Sequence, residues 1–369
     1  MPLTPGDSIP FISVRTLGNP SFSFDEAAGR YLLVAILPAD REAAGAALQA
    51  VRARRRQFDD LHFSFFGILR DPVAIAEAVD ESPGIYWIFD PEGEIAKVFQ
   101  GGETAGVDEA GGWIVLDPAL RVIAAAPLAA AGVIDWAASL PPVDDHAGTR
   151  LTAPALIVPR VFEPALCQWL IGLYDANGGQ TSGFMVDVDG QTVQVHRPAN
   201  KRRSDFRIQD EALKRELNAR LIRRLVPSIQ RAFQFTPTRI ERHLIACYDA
   251  KDAGFFQAHR DNTTKATAHR RFAVTLNLNT EDYEGGDLRF PEFGRATYRA
   301  PTGGAIVFSC SLLHEAKPVT KGRRYTFLPF LYDEAGAQIR EANSGFLASA
   351  PGSYRAHPGD EVGGEGETR

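Results

Sequence analysis

Cysteine is scarce in this chain. Cys167, Cys247 and Cys310 are the three cysteines among 369 residues, so none precedes position 167. A sparse and odd number of cysteines argues against a disulfide framework and favours a reducing compartment. The sequence also lacks a basic, apolar leader and any apolar run long enough for a membrane span. We therefore predict a cytoplasmic protein without a membrane partner.

Positive charge is also in short supply, and it is unevenly distributed. The net charge is −6 at pH 7, with acidic residues in clear excess up to residue 150 and a slight basic excess after it. A basic second half would suit an anionic co-substrate or an acidic partner, although attraction between the two halves would explain it equally well. The acidic total and the absence of a recognisable nucleic-acid-binding motif predict no nucleic-acid partner.

The first half of the chain alternates short apolar runs with a helix-forming stretch. Residues 43–56 are rich in alanine, which favours a helix. The predicted buried strands, all rich in branched or aromatic residues, are 31–37, 62–69, 85–90 and 113–117. Strand–helix alternation of this kind predicts an α/β domain with some parallel pairing, which we assign to residues 1–147.

This first half resembles the peroxiredoxin branch of the thioredoxin fold. The matching segments are 5–11, 32–37, 85–91 and 113–117. Peroxiredoxins attack peroxide with a thiolate that follows an early core strand, whereas residues 38–42 here contain no cysteine. The resemblance therefore implies a thioredoxin-like domain that lacks the peroxidatic cysteine. We expect a structural, dimerising or substrate-recruiting module rather than a peroxidase, which leaves a homo-oligomer open.

A linker precedes the second half of the chain. Residues 138–149 are rich in proline, small and acidic residues, as linkers are. We assign residues 148–340 to a second domain and residues 341–369 to a tail without fixed structure. Helices should begin at Pro164 and span 211–225. The predicted strands that follow are 243–248, 272–278, 287–290, 305–310 and 325–331. Several short strands indicate a β-sandwich or barrel, so the second domain should be α+β.

Alternating side chains in residues 272–279 predict a strand with two different faces. Phe272, Val274 and Leu276 would share an apolar face, and Thr275 and Asn277 would lie on the opposite, polar face. A polar face that points inward would mark a site.

One spacing in the second half suggests metal chemistry. His259 and Asp261 are two residues apart, so on a strand both would point to the same side, and His314 follows a strongly apolar strand. Two imidazoles and one carboxylate form the facial triad that holds non-haem Fe(II) while leaving coordination positions open. The alternative is a surface ion pair and a core histidine. We interpret His243 and His269 as ordinary residues.

Arg324 follows the last of these three residues and would share a strand face with Thr326. Its guanidinium offers a rigid fork that matches a carboxylate through two hydrogen bonds, and Arg323 should point the other way. Tyr248 and Asn277 could add contacts to the same anionic co-substrate. Both residues are also compatible with packing or structural roles.

The second half resembles the prolyl 4-hydroxylase-like branch of the 2-oxoglutarate/Fe(II) dioxygenases. The segments that carry the resemblance are 246–248, 254–262, 276–279, 285–288 and 314–324. It implies a double-stranded β-helix (jelly roll) with Fe(II) on His259, Asp261 and His314, and 2-oxoglutarate on Arg324, with Tyr248 and Asn277 as further co-substrate contacts. O₂ would be consumed, succinate and CO₂ released, and ascorbate could assist. Many prolyl hydroxylases carry a lysine at the position of Arg324, which keeps the positive charge but changes the hydrogen-bonding geometry toward the carboxylate.

The resemblance leaves the substrate open. We favour a peptide or protein side chain, with the first domain recruiting the substrate. The alternatives are a free small molecule, or a non-enzymatic thioredoxin-like scaffold with a silent barrel. Two basic clusters could bind an acidic peptide, although we interpret both as solvated faces; they are 201–203 and Arg220, Arg223 and Arg224.

Overall fold

The computed structural model describes residues 3–38, 40–100, 110–188 and 190–347. The chain divides into two compact units, the first containing residues up to 153 together with 290–296, and the second containing 154–289 and the residues from 297 onward. The sequence predicted a boundary at 147/148, whereas this division falls at 153/154 and places 290–296 with the first unit. Residues 341–347, predicted to lack fixed structure, complete a helix and form a short 3₁₀ turn. The rest of that predicted tail, 348–369, lies outside the described residues.

The first unit is a mixed sheet with flanking helices. Its strands are β1 Ser13–Thr16, β2 Phe22–Ser23, β3 Tyr31–Ile36, β4 Phe63–Leu69, β5 Ile85–Phe89, β6 Gly112–Leu116 and β7 Val122–Ala126. Its helices are α1 Arg41–Ala53, α2 Pro72–Glu77, α3 Glu94–Phe99 and α4 Gly132–Ala138. The four strands and the helix predicted for this half are all present.

The strand order of the first sheet is β2-β1-β5-β4-β3-β6-β7. Strands β3, β4 and β5 run parallel, and β6 and β7 form an antiparallel hairpin beside β3. Strands β3 and β4 are buried along their whole length, because apolar side chains on both of their faces are covered. Phe65 packs in a cluster with Val51 and Ile134 of the helices, while Phe66 packs edge-on against Phe24.

The second unit is mostly antiparallel β-structure backed by helices. Its strands are β8 Leu156–Val158, β9 Gln180–Thr181, β10 Phe184–Val188, β11 Gln191–Val195, β12 Lys201–Arg202, β13 Ser204–Arg207, β14 Arg239–Glu241, β15 Leu244–Asp249, β16 Phe255–His259, β17 Phe272–Asn277, β18 Glu284–Gly285, β19 Leu288–Arg289, β20 Thr297–Tyr298, β21 Ala305–Ser309, β22 His314–Ala316, β23 Val319–Lys321, β24 Arg323–Phe327 and β25 Phe330–Tyr332. Its helices are α5 Pro164–Asn177, α6 Glu211–Arg224, α7 Val226–Phe233 and α8 Glu334–Ala342.

The larger sheet of this unit has the order β14-β25-β17-β24-β15-β13-β9, with β21 and β8 attached beside β17. Val274 and Leu276 of β17 pack into one apolar cluster with Leu217 and Ile229 of the helices. The face of β17 that carries Thr275 and Asn277 therefore points away from the helices. The alternation predicted the polar face, and the structure shows that it is the one turned away from the helices.

The smaller sheet has the order β12-β16-β22-β19-β20, and β18 pairs separately with β23. The Phe308 ring of the larger sheet lies 4.6 Å from the His314 ring of the smaller sheet, so the two sheets contribute to one interior. No helix among the described residues is both long and apolar enough to cross a membrane.

Two strand predictions in this unit need correction. Residues 325–331 form two strands, β24 and β25, because Pro329 cannot donate a backbone hydrogen bond and interrupts the ladder. Residues 180–207 contain five strands that the sequence did not signal, including the β10–β11 hairpin.

Candidate metal centre

His259, Asp261 and His314 converge in the interior of the second unit. His259 ends β16 and pairs directly with His314, the first residue of β22. The Nε2 atom of His259 lies 3.6 Å from Asp261 Oδ1, and the Nε2 atom of His314 lies 3.3 Å from Asp261 Oδ2. One potential ligand atom from each residue falls within 4.8 Å of the others. Three side chains from separate segments thus converge on one point.

The way in which Asp261 reaches this point differs from the sequence-based expectation. We expected His259 and Asp261 to share a strand, but β16 ends at His259 and Asp261 lies in the following loop. Its backbone N–H donates to the Cys310 carbonyl at 2.9 Å. Arg260, which separates His259 and Asp261 in sequence, donates from Nη1 to the carbonyl of Ser311. Hydrogen bonds to the segment that precedes β22, not strand alternation, direct the carboxylate inward.

Backbone carbonyls orient both imidazoles. His259 Nδ1 lies 2.7 Å from the Gln257 carbonyl oxygen, and His314 Nδ1 lies 3.0 Å from that of Leu312. A carbonyl oxygen only accepts, so each Nδ1 carries the proton and each Nε2 presents a lone pair toward Asp261. Metal-binding histidines are commonly held in this tautomer by such contacts. The donor set therefore fits a divalent transition metal.

Protonation in the free site also suits a cation. Burial, together with the nearby imidazole of His314, lowers the pKa of His259 to about 4. Burial raises the pKa of Asp261, but the imidazoles of His314 and His259 lower it more, and it ends well below its usual range. At neutral pH the site thus holds a neutral His259 imidazole and a carboxylate, the forms that bind metal.

Arg324 lies on the larger sheet with unused hydrogen-bonding capacity. Its side chain is buried, with 2% exposed, and its Nε has no acceptor among the described residues. It pairs in register with Tyr248, and the guanidinium carbon lies 5.1 Å from the centre of the Tyr248 ring. Buried donors are nearly always paired, so an unpaired guanidinium donor marks a place for a bound acceptor.

Two neighbouring polar atoms share this property. Asn277 and Thr326 are cross-strand partners on β17 and β24. Asn277 Nδ2 donates to the Ala300 carbonyl at 2.8 Å, but Asn277 Oδ1 and Thr326 Oγ1 are buried without partners among the described residues. Thr326 was not predicted as a site residue, although its place two residues after Arg324 put both side chains on one face. The inner face of β17 and β24 thus offers both donors and acceptors to a polar ligand.

Tyr248 is held by a buried ion pair. Arg203 Nη1 donates to the Tyr248 hydroxyl at 3.3 Å, and the same guanidinium binds both carboxylate oxygens of Asp205, at 2.7 and 2.8 Å. Burial alone would raise the pKa of Asp205, but the charge and hydrogen bonds of Arg203 lower it by a larger amount, to about 2. The Tyr248 hydroxyl therefore has a fixed partner as well as a position beside Arg324.

The interpretation of residues 201–203 as a solvated face is wrong for two of the three. Lys201 and Arg203 are buried, and Arg202 alone is exposed. Lys201 Nζ donates to the Gly183 carbonyl at 2.6 Å and lies 4.5 Å from the centre of the Phe256 ring, which in turn stacks on His259. Burial and the charge of Arg203 lower the pKa of Lys201 well below its usual range. Strand pairing with β16, which sequence alone did not reveal, turns Lys201 inward.

The remaining candidates lie away from the three converging residues. His243 Nε2 lies 2.7 Å from Asn218 Oδ1, and His269 Nε2 lies 2.9 Å from Glu241 Oε2. Arg323 binds Asp175 and the Tyr325 hydroxyl, on the face opposite to Arg324. Arg220 and Arg224 pair with Glu163, whereas Arg223 has no partner within the described part of the chain.

Comparison with known proteins gives local matches to one kind of enzyme. A "PKHD-type hydroxylase" of Synechococcus sp. (strain JA-2-3B'a(2-13)) is 35% identical over 95 residues, which cover 24% of this chain and 42% of that protein. A "PKHD-type hydroxylase" of Pseudomonas fluorescens (strain Pf-5) is 28% identical over 145 residues, covering 37% and 63% respectively. The chain thus spans less than two thirds of the length of these relatives.

Solved structures give weaker similarity over about half of the chain. A Pseudomonas putida prolyl-4-hydroxylase is 21% identical, with a TM-score of 0.38, and the match covers 52% of this chain and 96% of that one. A Trichoplax adhaerens prolyl hydroxylase, solved with a hypoxia inducible factor peptide fragment, is 17% identical, with a TM-score of 0.39 and coverages of 51% and 86%. Residues 243–332, the part that carries His259, Asp261, His314 and Arg324, match the model of the 2OG-Fe(II) oxygenase superfamily.

Proposed function

We propose that the second unit is an Fe(II)- and 2-oxoglutarate-dependent dioxygenase that hydroxylates a C–H bond. The observation that carries this proposal is the convergence of two Nε2 lone pairs and one carboxylate within 4.8 Å. The match of residues 243–332 to the 2OG-Fe(II) oxygenase superfamily supports it. The reaction consumes O₂ and 2-oxoglutarate and yields succinate, CO₂ and the hydroxylated product.

The protein residues have separate roles in this proposal. His259 and His314 bind the metal through Nε2, and Asp261 binds it through its carboxylate. Bound Fe(II) supplies the activation of O₂, for which 2-oxoglutarate provides electrons. Arg324 and Thr326 hold the distal carboxylate of 2-oxoglutarate, because they present unpaired donors on one strand face. Tyr248, which Arg203 holds in place, pairs in register with Arg324, and Asn277 pairs with Thr326. Both would add contacts to 2-oxoglutarate.

For the substrate, we favour a peptide or protein side chain. The support is that the relatives are named as PKHD-type hydroxylases, and that one prolyl hydroxylase among the solved structures is in complex with a peptide fragment. Lys201 adds a second consideration, since no carboxylate among the described residues lies within ion-pair distance of its buried amine, and an acidic substrate group would provide one. A free small-molecule substrate and a silent barrel remain the competing functions.

For the first unit, we propose a thioredoxin-like module without catalytic activity, which recruits the substrate or a second copy of the chain. Its support is the topology: three parallel strands followed by an antiparallel hairpin beside β3. The unpaired, buried state of Cys167, Cys247 and Cys310 agrees with a reducing, cytoplasmic location.

The test is 2-oxoglutarate turnover by the full-length protein with Fe(II), in the presence and absence of candidate proline-containing peptides. We expect slow succinate release without peptide and faster release with a peptide that is a substrate. His259→Ala is the matched control and should reduce both rates to background. Succinate release that is equal in the wild-type protein and in His259→Ala would contradict the proposal. Stimulation by small carboxylic acids but by no peptide would favour the small-molecule alternative.

A further inference from the structure

A second buried charged cluster contacts Asp261 through its main chain and not through its carboxylate. Its centre is Arg270, which has 8% of its surface exposed. Arg270 Nε and Nη2 donate to the two carboxylate oxygens of Glu241, at 2.7 and 2.6 Å. The third nitrogen, Nη1, donates to the backbone carbonyl of Asp261 at 3.2 Å. One planar guanidinium therefore joins a buried carboxylate to the main chain of a potential metal ligand.

The anchor of this arrangement is itself well held. Glu241 also receives a hydrogen bond from His269 Nε2 at 2.9 Å, and it lies on β14, which pairs with β25. The guanidinium of Arg270 lies over the Phe330 ring of β25, with its carbon 4.1 Å from the ring centre. Arg270 thus has little freedom to move, because a bidentate ion pair and a ring contact both orient its plane.

The main chain of Asp261 is fixed on both sides. Its N–H donates to Cys310, and the N–H of Cys310 donates to the Arg271 carbonyl, both at 2.9 Å. Its carbonyl is fixed only by Arg270 among the described residues. The loop 261–270 starts at the carboxylate and ends at the arginine, so the Arg270–Asp261 contact closes this loop on itself. Because Asp261 is not in a strand, these hydrogen bonds take the place of a ladder in orienting its side chain.

We infer that Arg270, anchored by Glu241, is a positioning residue for the metal centre. It sets the orientation of the Asp261 carboxylate relative to the two imidazoles through the backbone of Asp261. This inference rests on the proposed function, since it assumes that Asp261 binds the metal. Loss of groups that orient metal ligands commonly reduces metal affinity about 10- to 100-fold, and we expect a reduction in this range.

The chain offers a matched control in Arg242. This arginine also lies over the Phe330 ring, at 4.0 Å from its centre, but it donates to the Leu328 carbonyl and not to a ligand segment. Arg242→Met removes a guanidinium from the same ring and the same neighbourhood. It should therefore reproduce any general destabilisation without changing the orientation of Asp261.

The experiment is an anaerobic titration of the full-length protein and its variants with Co(II), which reports both the dissociation constant and, through its visible absorption, the coordination geometry. Thermal unfolding is measured in parallel. Arg270→Met is expected to raise the Co(II) dissociation constant about 10- to 100-fold and to alter the absorption spectrum. Arg242→Met is expected to retain the wild-type dissociation constant and spectrum, even where it unfolds at a lower temperature.

Two further variants keep the test decisive if Arg270→Met does not fold. Arg270→Lys retains the charge but cannot bond Glu241 and the Asp261 carbonyl with one rigid fork, and Glu241→Gln loosens the anchor. Both should weaken Co(II) binding and change its spectrum by a smaller amount. Wild-type affinity and spectrum in Arg270→Lys and Glu241→Gln would overturn the inference while leaving the proposed function intact. Absence of His259-dependent Co(II) binding in the wild-type protein would overturn both.

Discussion

The central strands of both units are largely buried, but the side chains that they bury differ in polarity. In the first unit, β3 and β4 carry mostly apolar side chains, and the buried hydroxyl of Ser64 is bonded to both Arg30 and the Asp59 carbonyl at 2.6 Å. In the second unit, β17 and β24 bury Asn277 and Thr326 on the face opposite to the apolar core, and each has an atom without a partner among the described residues.

This difference separates a structural interior from a binding interior. A buried polar group without a partner costs about 1–3 kcal/mol, so such groups seldom accumulate by chance. Where several lie on one face beside an unpaired guanidinium, a bound ligand is the simplest source of the missing hydrogen bonds. No comparable group lies on β3 or β4 of the first sheet.

The largest effect is expected when a group is removed from the candidate metal centre. Asp261→Ala should reduce metal binding and succinate release to background, because two neutral imidazoles alone are a weak site for Fe(II). Asp175→Ala removes a carboxylate of helix α5 that pairs with Arg323, and it should leave metal affinity unchanged. Isothermal titration with Co(II) measures both. Retained stoichiometric binding in Asp261→Ala would exclude that residue as a ligand.

The next largest effect is expected at Arg324. Arg324→Met should raise the 2-oxoglutarate requirement about 10- to 100-fold, since a hydrogen bond to a charged group contributes about 1.5–3 kcal/mol. Arg323→Met is the matched control, because Arg323 lies on the opposite face and binds Asp175. The readout is the concentration of 2-oxoglutarate that gives half-maximal succinate release. Equal requirements in the two variants would contradict the assignment of Arg324.

The buried ion pair beside Tyr248 should make the second unit sensitive to acid. Asp205 has a folded pKa of about 2, below its ordinary value of 3.8, so its stabilising effect is present above pH 4 and is lost as the pH falls toward 2. The contribution is on the order of 2 kcal/mol. Asp205→Asn should flatten the acid limb of the unfolding free energy measured by urea titration. It should also destabilise the protein at pH 7, because Arg203 then lacks its carboxylate.

The smallest effects compare two buried hydroxyls directly. Ser64→Ala removes a satisfied hydroxyl and should cost about 1 kcal/mol of unfolding free energy with no change in 2-oxoglutarate affinity. Thr326→Val removes an unsatisfied hydroxyl and should leave the stability of the ligand-free protein unchanged or slightly higher, while lowering 2-oxoglutarate affinity several-fold. Urea unfolding and ligand titration test the pair. The same stability loss in both variants would remove the distinction between the two interiors.

Much of the regular structure could be predicted from local patterns. The strands of the first sheet were identified because continuous apolar runs are typical of strands buried on both faces, as in β3 and β4. The alternation in 272–279 correctly predicted that β17 has one apolar and one polar face, but the structure decided which of the two packs against the helices. Strands β12 and β13 escaped prediction because they are short and polar, and their pairing depends on β16 and β15, which are distant in sequence. The local β10–β11 hairpin was missed as well.

The side chains of the candidate centre follow the same division. Spacing, strand context and the family resemblance together singled out His259, Asp261, His314 and Arg324, and the structure brings the first three together. Local sequence could not indicate that Lys201 and Arg203 turn inward, that Thr326 Oγ1 has no partner among the described residues, or that Arg270 binds the main chain of Asp261. These properties arise from contacts between segments far apart in the chain, and burial and hydrogen bonding depend on the full three-dimensional surroundings rather than on neighbouring residues.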